Sequence, residues 1–197
     1  SVDGILLRTD VERSPATLYH ILLHELAHIF CTRNELCGDS FYKRYCMDNT
    51  LSSEEDGAIN AGYAVWRELI AELIASEKDD NCVFLSLGDK EDILRYYMEE
   101  IEDGDRKLAV SMLLCEALTS REGEPAATWG DTKKKIEKYK PFDEPLFMDL
   151  LELVVRKLKK NFVEIDRDFI LELGSLYLFL VTQSDVKKLQ KRLSEEH

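Results

Sequence analysis

Between Ser14 and Arg33 the chain is committed to a helix, and that commitment decides where its chemistry can sit. Ser14 is placed to cap the helix and Pro15 to occupy its first turn, where a missing N–H costs nothing. Leu18, Ile21, Leu22, Ile29 and Phe30 recur at helical spacing and form a wide apolar stripe, so the helix is expected to be well buried. Asn34 is the expected left-handed stop. A second strong helix is predicted from about Ala58 to Glu77, with Trp66, Leu69, Ile70, Leu73 and Ile74 on its core face. A neighbouring face carries Ala61, Ala64, Glu68, Ala71, Glu72 and Ala75. Small residues there would let another backbone approach closely, with two carboxylates set among them.

The remainder also reads as helix, at about 90–102, 106–121, 132–139, 145–160, 167–182 and 185–195, with Gly104 and Gly123 as expected stops. Only Ile5 to Arg8 and Cys82 to Leu85 suggest strands. The polar, aromatic stretch from Asn34 to Asp56 is expected to be a long loop, and Gly123 to Asp131, with Pro125 and Gly130, a hinge. The expected fold is mainly α, an α+β arrangement with a small β element. Residues 1–122 would form the core, and residues 123–197 a helical extension packed on it as one compact unit.

A formal charge of −13 argues against nucleic acid or an anionic membrane surface as the partner. Five cysteines with no CxxC pair point to reduced thiols and a cytoplasmic protein rather than a disulfide framework. Cys31, Cys37 and Cys46 are too irregularly spaced to suggest a second metal site. No apolar run approaches the roughly 20 residues that span a bilayer. The start, Ser1 to Gly4, does not read as a signal peptide.

The first helix contains His24-Glu25-Leu26-Ala27-His28, a complete HExxH. Histidines four apart lie one above the other on a helix face, so both imidazoles can reach one zinc ion. Glu25 projects beside that ion, where a carboxylate can take a proton from the attacking water and return it to the leaving amine. The competing reading is two core histidines with an accidental glutamate between them. His20 extends the four-residue step, but its distance from His28, about 12 Å of helix rise, excludes it from the same coordination shell. It is read as a supporting donor or a histidine at the core edge. A catalytic zinc needs a third protein ligand, and Glu68 and Glu72 are the available carboxylates. An ordinary exposed acidic pair on an amphipathic helix is the alternative.

HExxH on one helix, followed by Glu68-Leu69-Ile70-Ala71-Glu72 on a second, resembles the gluzincin pattern of metallopeptidases. The resemblance implies a zincin-like metallopeptidase core, with His24, His28 and Glu68 as zinc ligands and Glu72 orienting one of the histidines. Over about residues 14 to 78 the chain also resembles the ImmA/IrrE metallopeptidases, which cleave repressor proteins in bacteria. Glu68 follows His28 by 40 residues (68 − 28), a longer gap than that family's. The function expected is zinc-dependent hydrolysis of a peptide or protein substrate lying along a strand edge such as Ile5 to Arg8, with Glu25 as general base. Tyr63, Tyr19 and Tyr177 are candidate oxyanion donors. The alternative is a catalytically silent zincin-fold module that binds or regulates a partner.

Overall fold

The computed structural model describes residues 5, 13–36, 38–79, 103–119, 133–134, 145–160 and 165–195. The helices are α1 (Pro15–Arg33), the short α2 (Asp39–Phe41) running into a π turn (Tyr42–Cys46), α3 (Ser53–Lys78), α4 (Asp103–Thr119), α5 (Pro145–Lys160) and α6 (Arg167–Glu195).

The termini of α1 follow from local chemistry. Ser14 Oγ accepts from the Thr17 backbone N–H at 3.1 Å, and Pro15 opens the helix. At the other end Asn34 is not left-handed, with φ −104°; the left-handed residue is Glu35, with φ 55°. Glu35 N–H returns to Thr32 and Leu36 N–H to Cys31, which satisfies two of the last carbonyls of the helix. The expected long loop after it is instead occupied by α2, the π turn and the first turn of α3. That first turn is sealed by a capping box: Ser52 Oγ accepts from Glu55 N–H, and Glu55 reaches back to Ser52 N–H. The helix therefore begins five residues before Ala58, at a Ser-x-x-Glu signal.

α3 is the axis of the fold, packed against α1, α4 and α6, while α5 lies against α6 and α4. Trp66, Leu69 and Ile59 are fully buried along it, and Trp66 meets the Phe169 ring of α6 edge-on at 5.0 Å. α3 and α6 approach closely at Gly62 and Gly174. A Cβ on Gly174 would lie 1.8 Å from the Ala58 carbonyl oxygen, and one on Gly62 would lie 2.1 Å from that of Ile170. Only glycine on both helices permits this crossing. On the α4 side, Ser111 Oγ donates to the Val65 carbonyl at 3.0 Å. The buried Arg106 guanidinium then grips both carboxylate oxygens of Asp185 on α6, at 3.0 and 3.1 Å.

Several expectations are corrected. The described residues contain no strand or sheet: they form an all-helical arrangement and not the expected α+β zincin-like core. The physical reason lies in α3, whose faces are taken up by α1, α4 and α6, leaving no side for a sheet to cover. Of the two expected strands, Ile5 alone is described and is not in one; the rest lies outside the described residues. Gly104 does not stop a helix but sits in the first turn of α4. The two helices expected at 167–182 and 185–195 are one continuous α6, since nothing between them breaks a helix. The hydrophobic core draws on α3, α4, α5 and α6 together, from both sides of residue 122. That boundary, the helix expected at 90–102 and the hinge at 123–131 lie outside the described residues. No helix among the described residues is long and apolar enough to cross a membrane.

Candidate metal centre

α1 and α3 run antiparallel, and their contact is a ladder of alternating histidines and acids. His28 Nε2 lies 3.3 Å from Glu68 Oε2, and His24 Nε2 lies 3.1 Å from the same oxygen. His24 Nδ1 lies 2.8 Å from Glu72 Oε2, and His20 Nε2 lies 2.9 Å from Glu72 Oε1. His20 Nδ1 completes the series at 3.1 Å from Asp79 Oδ2. Two spacings produce it. Histidines at every fourth residue of α1 stack on one face, Glu68 and Glu72 do so on α3, and Asp79 caps the end of that helix.

At the open end of the ladder three donor atoms converge. The Nε2 atoms of His24 and His28 are 3.1 Å apart, and each faces Glu68 Oε2. A tetrahedral zinc with bonds near 2.0–2.1 Å separates its ligands by about 3.3 Å. The triangle of 3.1, 3.1 and 3.3 Å is that size without any movement. It is also the only such group of potential ligands among the described residues. The predicted ligand set His24, His28 and Glu68 is thus brought together, and Glu72 sits behind His24.

The electrostatics follow from burial against pairing. Burial lowers the pKa of His24, but hydrogen bonds and attraction from Glu68 and Glu72 outweigh it and raise the value from 6.5 to about 9. Burial pushes Glu68 and Glu72 up, yet their histidine partners hold both down at about 2. An ionised carboxylate can only accept, so His24 carries a proton on Nδ1 and donates it to Glu72. The proton on Nε2, which faces Glu68, is the one an ion would displace, and Nδ1–H held by Glu72 would then leave the tautomer a ligating histidine needs. His28 has no such support among the described residues: its Nδ1 is buried with no hydrogen-bond partner. Exposure rises from Glu72, at 2%, to Glu68, whose side chain is 27% exposed, so the triangle meets solvent on the Glu68 side.

Glu25 is half-buried on α1. At about 100° per residue it flanks the face that presents His24 and His28. Of the candidate oxyanion donors, Tyr63 and Tyr177 are buried in the core. Tyr63 stacks on Phe41 at 5.8 Å beneath the Arg67 guanidinium, while Tyr19 is half-exposed. Cys31 and Cys46 are buried, and burial together with Asp56 pushes the Cys46 thiol up to about 11, away from a ligating thiolate.

Asp79, the partner of His20 Nδ1, is a functional residue that the sequence alone does not point to. The signal is weak, since Asp79 is the residue that caps α3, seven positions after Glu72 and outside the helical period. Comparison with known proteins finds no match, whether among protein-family models, curated sequences or solved structures.

Proposed function

We propose that this chain is a zinc-dependent hydrolase of peptide bonds, with His24, His28 and Glu68 holding the ion and Glu25 as general base. The observation that carries the reading is the convergence of His24 Nε2, His28 Nε2 and Glu68 Oε2 on one point, at separations suited to tetrahedral coordination. A zinc ion there would supply Lewis acidity to a scissile carbonyl and acidify the attacking water. The chain's own residues do the rest. Glu72 holds the His24 ring with its Nε2 turned towards the ligand position. Glu25 takes the proton of the attacking water and returns it to the departing amine. The likeness to the gluzincin pattern supports these roles through HExxH and Glu-x-x-Ala-Glu alone. An all-helical scaffold is no obstacle, because chemistry belongs to a constellation of side chains rather than to a fold.

A second reading, a catalytically silent metal-binding module that regulates a partner, draws on one observation. The described residues offer no sheet edge along which a peptide could lie. Two measurements decide. Elemental analysis of gently purified protein should give one zinc per chain, and a value near zero in folded protein would overturn the proposal. Mass spectrometry of a peptide mixture should then show cleavage that Glu25→Gln reduces by about 10²–10⁴-fold with zinc retained. Zinc without cleavage selects the silent module.

A further inference from the structure

The inner half of the ladder takes no part in the metal triangle, yet it is the most deeply buried part. Glu72 and Asp79 are 2% and 6% exposed, and His20 bridges them. Carboxylates accept hydrogen bonds, so the contacts at His20 Nε2 and Nδ1 both require N–H donors. His20 therefore sits between two buried acids as an imidazolium. Glu72 in turn has one oxygen on each histidine, Oε1 on His20 and Oε2 on His24. A glutamate with a single partner could rotate about its terminal bonds. With Oε1 tied to His20, the other oxygen is held facing His24 Nδ1.

We infer that His20, anchored by Asp79, is a positioning residue that aims Glu72 at His24 and so sets the strength of metal binding without touching the metal. The inference rests on the reading of His24 as a ligand. The test uses the full chain, with zinc as the probe in competition with a chromophoric chelator at one fixed pH. His20→Gln should weaken zinc binding by about tenfold, the lower end of the range for residues behind a ligand. Asp79→Asn keeps an oxygen that accepts from His20 Nδ1–H, and should weaken it less.

A second readout separates positioning from packing. In the metal-free chain, nuclear magnetic resonance of the His24 Nδ1–H proton should show a sharp, hydrogen-bonded signal that broadens or shifts in His20→Gln. A residue that merely fills space would lower the melting temperature and leave that signal in place. Folded His20→Gln with parental zinc affinity and an unchanged signal overturns the inference. Where His20→Gln fails to fold, Asp79→Ala, which removes the acceptor from His20 Nδ1–H, decides, and parental values for both readouts overturn the inference equally. A parent chain that takes up no zinc refutes the hydrolase proposal instead, while the metal-free signal still decides whether His20 positions Glu72.

Discussion

Stability against pH gives the most direct check on the charges in the ladder. Folding raises the pKa of His24 from 6.5 to about 9, so the folded chain binds this proton more tightly than the unfolded one. The resulting stabilisation is fully present below pH 6.5 and is lost as pH rises through 9. At 1.36 kcal/mol per unit, a rise of this size is worth about 3 kcal/mol at most, and about 2 kcal/mol of it disappears between pH 7 and pH 9. Solvent screening discounts little, because His24 is 8% exposed. Glu68 and Glu72 are the partners in the same interactions, so their depressed values do not add a second contribution in this window. Zinc reverses the sign. It competes with the proton at His24 Nε2, and its affinity should rise about tenfold per pH unit over the same interval. The assay is urea denaturation of chelator-treated protein at pH 6, 7, 8 and 9, followed by circular dichroism, for the parent and His24→Gln. The parent should lose about 2 kcal/mol more than the variant between pH 7 and 9, or about 4–8 °C in melting temperature for a chain of this size. Equal losses in the two proteins would refute the linkage, and with it the pairing of His24 with Glu68 and Glu72.

Glu68→Ala should abolish tight zinc binding, whereas Glu72→Ala should weaken it by about 10–100-fold; chelator competition on both variants checks the order, and the reverse order would exchange their roles. Gly174→Ala should destabilise the chain by about 3 kcal/mol or more, since its Cβ would lie 1.8 Å from the Ala58 oxygen and α3 and α6 would have to part. Urea denaturation measures that loss, and a change under about 0.5 kcal/mol, the size of a neutral surface substitution, would contradict the close crossing. Glu35→Gly should instead stabilise by roughly 1 kcal/mol, because a left-handed residue at φ 55° carries a side chain that glycine lacks; a lower urea midpoint would show the terminus described for α1 to be wrong.

The parts of this protein legible in the sequence are those whose causes are local. Ser14 and Pro15 specify the start of α1 through one hydroxyl and one missing N–H. A four-residue step is enough to put His24 and His28 on one face, whatever surrounds them. Pro145 and Lys160 bound α5 where the apolar period begins and ends. The start of α3 was legible too, in the Ser52–Glu55 capping box, although the apolar period alone pointed to Ala58.

Only the tertiary structure decided what those elements meet. No spacing within α3 reveals that α1 runs antiparallel to it, and without that direction Asp79 has no partner and His20 no role. Apart from Ile5, the two apolar runs expected to be strands lie outside the described residues. The absence of a sheet elsewhere follows from α1, α4 and α6 surrounding α3, a competition among elements that local propensity cannot see. Gly62 and Gly174 are 112 residues apart (174 − 62) and acquire their meaning only where two backbones touch. The metal triangle joins both kinds of cause: helical periodicity prepared two of its corners, and the packing of α1 on α3 supplied the third.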